Sequence, residues 1–177
     1  MISYKIDFLR EINTLLSFSL SFSLSFSFVV SKMSFHQIVP NLFLGDSLCA
    51  NDYEQLKTLG ITHIINCAIE HPNYFPKQFT YLHIQVRDNP SEEISKYFKS
   101  TNEFIRSALY HNGKVFIHCH AGVSRSSTIC IAYLLKQHQQ QDLKRILEHV
   151  RTIRKVVNPN EGFLRQLEQY KNSRFKN

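Results

Sequence analysis

Apolar and polar positions divide the chain into two unlike parts. From Ser17 to Phe28 serine alternates strictly with Phe or Leu. From Ile38 onward, short apolar runs alternate with stretches in which apolar residues recur every three or four positions. The first pattern has the period of a strand, but no partner for it is evident, and such a segment is prone to aggregate. Read as a signal peptide it has an apolar centre, yet Asp7 and Glu11 lie upstream and no clear small-x-small cleavage site follows. Read as a membrane span it is short and half serine. The expectation is a low-complexity, poorly ordered extension over residues 1–33 and a folded domain over 34–177. Met33, which opens MSFHQIVPNLFLG, is an alternative working start.

Within the second part the pattern predicts an early strand over Val39–Leu44, ending at Gly45. Asn51 or Asp52 can cap a short helix (YEQLKTL) that Gly60 closes. THIINCA, Thr62–Ala68, reads as a buried strand, His71–Pro76 as a loop with two prolines, and Phe79–Val86 as an alternating strand. A helix is predicted from Ser91 to about Tyr110, with Glu92 and Glu93 in its first turn and Gly113 at its end. Val115–Ile117 is the most apolar strand, and a long helical pattern begins at Arg125. Asp142 and Asn160 can cap two final helices. Strands alternating with helices imply an α/β fold, with a central, mostly parallel sheet flanked by helices.

Composition changes this picture little. Across 177 residues the apolar share is 43% and the charged share 20%, ordinary for a globular domain. The formal net charge of +7 is densest in the last third (Lys144, Arg145, Arg151, Arg154, Lys155, Arg165), where solvated helix faces are the expected explanation. No nucleic-acid-binding motif accompanies it, so neither a nucleic-acid nor a membrane partner is expected. The four cysteines, Cys49, Cys67, Cys119 and Cys130, show no paired spacing. That favours a reducing compartment over a disulfide framework. Cys67 and Cys130 lie in apolar runs and read as core, though either is a candidate partner for Cys119 under oxidation.

The chemistry concentrates in Lys114–Ser126, KVFIHCHAGVSRS. Cys119 stands where a strand ends and Arg125 where a helix begins, with His120, Ala121, Gly122, Val123 and Ser124 between. A helix N-terminus leaves backbone N–H groups unpartnered and carries partial positive charge, and a loop curling into it makes an anion nest. Arg125 adds a planar fork that matches two phosphate oxygens. Helix termini and nearby cations lower a cysteine pKa from about 8.5 to roughly 3.5–7.5, so Cys119 is expected to be a nucleophilic thiolate facing an oxyanion cradle. His118-Cys119-His120 are successive and cannot converge on one ion as i, i+4 helical ligands do, so no metal and no cofactor is expected.

Cys-x5-Arg followed by Ser126 resembles the signature of the protein tyrosine phosphatase superfamily, and HCHAGVSRS is similar to its dual-specificity branch. The likeness extends from about Phe35 to Tyr170 through VPNLFLG, GITHIINCA, VRDNP, AYLL and NPNEGFLRQLEQY. It implies a compact protein tyrosine phosphatase-like fold and hydrolysis of phosphotyrosine and phosphoserine or phosphothreonine in phosphorylated protein substrates. With the unpaired cysteines, a signalling enzyme of the cytoplasm, and also of the nucleus, is expected. The resemblance assigns Cys119 as nucleophile and Arg125 as phosphate ligand. Asp88, 31 positions before Cys119 in a loop with Asn89 and Pro90, becomes the general acid; capping of the next helix is its alternative role, for which Ser91 is better placed. Ser126 would assist expulsion of sulfur in the second step. His120 to Ser124 would bind substrate through main chain, with Gly122 required by the turn. His118 would support the loop by hydrogen bonding, and Asn160 would cap a helix first and brace the loop second. Where the family often has Arg-Pro, this chain has Arg154-Lys155, which leaves the conformation of residues 154–160 open.

Two other functions are compatible with these residues. One is the same chemistry on a phosphoinositide or an RNA 5′ end, but relatives of that kind tend to carry extra Lys or Arg in the loop, where here only His120 is a further cation. The other is a non-catalytic phosphate-binding module, which predicts loss of Cys119, Asp88 or Arg125; all three are present.

Overall fold

The computed structural model describes residues 35–173; the expected N-terminal extension lies outside them. Five strands form one sheet: β1 His36–Val39, β2 Leu42–Gly45, β3 His63–Asn66, β4 Thr80–His83 and β5 Val115–His118. Their order is β1-β2-β5-β3-β4. β1 runs antiparallel to β2, and all other neighbours are parallel. The helices are α1 Ser47–Ala50, α2 Tyr53–Thr58, α3 Phe98–Tyr110, α4 Arg125–Gln137, α5 Leu143–Ile153 and α6 Glu161–Ser173. This is the mostly parallel α/β sheet expected. Among the described residues no helix is long and apolar enough to cross a membrane.

The pleat sorts side chains to the two faces of the sheet. Leu42, Leu44, Ile65, Val115 and Ile117 join the larger core beneath α3, α4, α5 and α6. Phe43, Ile64 and Phe116 point the other way, into a smaller core with Leu56 and Phe79. β5 is buried at all four positions because it is central and covered on both faces. Residues 125–135 of α4 are all buried, the mark of a helix enclosed by its neighbours.

Three predicted elements differ from what forms. The single early strand is two strands, because Pro40 has no N–H to donate and Asn41 turns at φ 64°. The helix expected from Ser91 begins only at Phe98, preceded by a 3₁₀ turn over Ser95–Tyr97. Local bonds divert the intervening chain: Ser91 N–H and Oγ–H both donate to Asn89 Oδ1. Gln166 of α6 clamps the segment from the far side, accepting from Ser95 N–H at 2.9 Å and donating to Glu92 O at 2.8 Å. At the end of α3 the left-handed residue is Asn112, at φ 58°, rather than Gly113. The strand expected over Phe79–Val86 pairs only across Thr80–His83, although Ile84 and Val86 remain core.

Register brings Gly45, Asn66 and His118 level at the carboxyl edge. Cys119 is the next residue along. Open α/β sheets bind ligands at that edge.

Candidate active site

The loop from Cys119 to Ser124 is held from several sides. Ser47 N–H donates to His120 O at 3.0 Å, Cys67 N–H to His118 O at 2.8 Å, and Asn158 N–H to Val123 O at 2.9 Å. Arg154 supplies the deepest brace: its Nε donates to Gly122 O at 3.0 Å and its Nη2 to Ala121 O at 3.1 Å, with the side chain 5% exposed. Arg151 donates to Val157 O and Asn158 Oδ1, fixing the stretch whose conformation the sequence left open. These two arginines therefore depart from the solvated face expected of the basic cluster. Gly122 has φ +66°, and a Cβ there would collide with the carbonyl of Gly45, so the turn requires glycine.

Cys119 Sγ is buried at the floor. It accepts hydrogen bonds from Gly122 N–H at 3.3 Å and Ser126 Oγ–H at 3.2 Å. The other three thiols are insulated: burial pushes Cys49 and Cys130 up to about 12 and raises Cys67 well above the ordinary range.

Four helices are closed by a side chain on a backbone N–H: Asp46 on α1, Asp52 on α2, Asp142 on α5 and Asn160 on α6. Ser124 stands at the start of α4 but makes no such bond. Its Oγ donates instead to Asp88 Oδ1 at 2.7 Å and accepts from Asn160 N–H at 3.1 Å. The same Asp88 oxygen accepts from Asn160 Nδ2 at 2.8 Å. Asp88 is thus tied to the phosphate loop and the start of α6; it caps no helix. Ser124, expected to act through its N–H alone, positions this carboxylate with its hydroxyl. Asn160 both caps and braces.

Arg125 is 5% exposed overall. Its Nη1 donates to Glu70 Oε2 at 2.7 Å and Val86 O at 3.1 Å, and its Nη2 to Glu70 Oε1 at 2.6 Å. A guanidinium has five N–H donors. Two remain: the second hydrogen of Nη2 and the Nε–H, which is buried without a hydrogen-bond partner and lies 3.9 Å from Asp88 Oδ2. That edge is the fork expected to receive an anion. The hydrogen bonds from Arg125 hold Glu70 at about 2, so it is ionised at any working pH.

Glu70 and Arg154 were missed in the sequence. Glu70 is one acid in a polar loop. Its only signal is position, since it follows the strand beside β5 and so falls at the same edge. His118 is fully buried, stacked on Phe116, with Nδ1 3.4 Å from Cys119 O and Nε2 without a protein partner. The loop support expected of it is one long contact; Arg154 carries that task. His120 is on the exposed rim, its Nδ1 2.8 Å from His71 Nε2.

A buried thiol, a carboxyl group and two guanidinium donors without a protein partner thus meet at the carboxyl edge of the sheet. Residues 42–173 match the family described as "Dual specificity phosphatase, catalytic domain". Over 134 residues, 76% of this chain, it is 41% identical to protein phosphatase Slingshot homolog 3 of Mus musculus. The matched part is 20% of that relative, so the chain spans about a fifth of its length. Among solved structures, human tyrosine phosphatase-like serine/threonine/tyrosine-interacting protein is similar at TM-score 0.75 and 37% identity, covering 80% of this chain and 97% of that one. DUSP15 is similar at TM-score 0.76 and 34% identity, covering 80% and 90%.

Proposed function

Because the chain belongs to the dual specificity phosphatase catalytic-domain family, we propose that it hydrolyses phosphotyrosine and phosphoserine or phosphothreonine in proteins through a cysteinyl-phosphate intermediate. Cys119 Sγ attacks phosphorus as the ester oxygen leaves. The Nε–H and remaining Nη2–H of Arg125, with the main-chain N–H groups of residues 120–124, hold the other phosphate oxygens as charge develops on them. Asp88, protonated, gives its proton to the leaving oxygen. As carboxylate it then takes a proton from the water that attacks the phosphocysteine, and the sulfur departs with Ser126 Oγ–H bonded to it. Atoms balance over the two steps: water is consumed, and alcohol and inorganic phosphate are released.

The observation that carries this reading is the pair of bonds from Ser124 and Asn160 to Asp88 Oδ1. They fix the acid on the loop that begins with the nucleophile. One structural relative is a tyrosine phosphatase-like interacting protein, which raises the non-catalytic alternative, but Cys119, Asp88 and Arg125 are all in place here. The four free thiols suit a reducing interior, so phosphoproteins of cytoplasmic and nuclear signalling are the substrates proposed. The test is hydrolysis by the full chain, under reducing conditions, of phosphotyrosine and phosphothreonine peptides beside a phosphoinositide and a 5′-phosphorylated RNA. Peptide turnover that Cys119→Ser abolishes, with phosphate affinity retained, is expected. Faster turnover of lipid or RNA than of peptide overturns the reading.

A further inference from the structure

Glu70, His71 and His120 bring three ligand atoms within 4.8 Å of one another at the mouth of the anion site. Glu70 and His71 come from the loop after β3, and His120 from the phosphate loop. Unlike the successive His118-Cys119-His120, this group draws its ligand atoms from two separate loops.

The contact between the two rings is informative. His71 Nε2 and His120 Nδ1 are 2.8 Å apart, with ring planes 7° apart and centroids separated by 5.1 Å. A nitrogen pair that close is nearer than two stacked rings allow, so the rings meet edge to edge. One nitrogen donates and the other presents its lone pair. Zinc–imidazole bonds of about 2.0–2.1 Å place two nitrogens of a tetrahedral site about 3.3 Å apart. The rings need part by only about half an ångström, and His120 lies on the exposed rim.

Both loop ligands are already oriented from behind, as metal ligands commonly are. Tyr74 Oη lies 3.1 Å from His71 Nδ1; with the proton on Nδ1 donated to that oxygen, Nε2 is the free lone pair. The Glu70 oxygens each accept one bond from Arg125, and each retains a second lone pair. Two imidazoles, one carboxylate and an open fourth position form the ligand set of an accessible zinc site.

We propose that Glu70, His71 and His120 bind a divalent ion of the zinc class at the rim of the phosphate loop, and that occupancy slows turnover. On binding, the proton of His120 Nδ1 passes through solvent to Nε2, so both rings ligate as neutral imidazoles. The ion shares the Glu70 carboxylate with Arg125, loosening the pair that orients the phosphate fork, and it ties His120 across the entrance. Binding stands independently of the phosphatase reading; only the slowing of turnover rests on it.

The test uses the untagged full chain carrying Cys119→Ser, which removes the competing sulfur ligand, titrated with zinc sulfate by calorimetry after treatment with chelator. One equivalent is expected to bind, and adding His71→Ala and His120→Ala together should weaken it at least tenfold, with unchanged circular dichroism. Absent binding in the parent, or equal affinity in the triple variant, overturns the site. With the nucleophile intact, zinc inhibition reversed by EDTA should require at least tenfold more ion in His71→Ala. Inhibition at an unchanged concentration places the ion on Cys119 and overturns the regulatory role.

Discussion

Ser124 Oγ donates a 2.7 Å hydrogen bond to Asp88 Oδ1 across 36 positions of chain. The residue at the start of α4 leaves its own helix end uncapped and donates its hydroxyl to the Asp88 carboxyl group. The helix N-terminus remains available to an anion, and the acid is set at a fixed distance from it. Ser124→Ala should therefore lower kcat on phenyl-type esters with poor leaving groups by up to about tenfold, since a hydrogen bond that positions the Asp88 carboxyl group is lost. It should lower kcat far less on a nitrophenyl ester, which needs little protonation. An equal loss on both substrates would make Ser124 merely structural.

Asp88→Asn removes the proton donor proposed above but keeps a side chain of the same shape beside Ser124 and Asn160. Positioned acid catalysis contributes roughly 10²–10⁴-fold. A loss of that size is expected on a poor leaving group, and a much smaller one on a nitrophenyl ester. A change below threefold would assign the acid elsewhere.

The strand–loop–helix unit around Cys119 was legible because three local signals agree there: an apolar run, small residues and a helical period. The caps at Asp52, Asp142 and Asn160 were legible for the same reason, being local. What escaped depends on contacts distant in sequence. Glu70 meets Arg125 across 55 positions and Arg154 meets Gly122 across 32. The Gln166 clamp on residues 92–95 spans more than 70 and overrode a reasonable helix start. A lone acid, a lone arginine and a lone glutamine carry no periodicity, so nothing in the chain separates them from surface residues until the fold brings their partners near.

Glu70 holds both terminal nitrogens of Arg125. Glu70→Gln keeps one acceptor oxygen but loses the charge and the paired geometry. The guanidinium should then wander from the phosphate position. KM for a phosphopeptide and Ki for inorganic phosphate should both rise about tenfold, with the nitrophenyl-to-phenyl rate ratio unchanged because Asp88 is untouched. A shift in that ratio instead of in affinity would show that Glu70 acts through the acid.

Gly162 lies where α6 presses on the acid loop: a Cβ built there collides with the backbone of Pro90. Glycine to alanine inside a helix ordinarily stabilises by about 0.5–1 kcal/mol. Overpacking costs about 1–3 kcal/mol, and the obstacle here is main chain, which cannot rotate aside. Gly162→Ala should consequently lower Tm and slow acid-dependent substrates selectively, because Pro90 is two residues from Asp88. A raised Tm with unaltered kcat would mean that α6 does not set the acid.

His118 should make the fold sensitive to mild acid. Burial holds its imidazole down at about 4, against an ordinary 6.5. The folded state therefore resists a proton that the unfolded chain accepts. Stability from this group is complete above pH 6.5, declines as the unfolded chain takes up the proton, and is fully lost below about 4. Between those limits the slope approaches about 1.4 kcal/mol per pH unit, that of one proton. Urea denaturation of the wild type and of His118→Gln at pH 5 and pH 7 checks this. The variant should start less stable at pH 7, having lost the stack on Phe116, and the gap between the two should narrow at pH 5. A gap that stays constant or widens on acidification would show that His118 is charged in the fold.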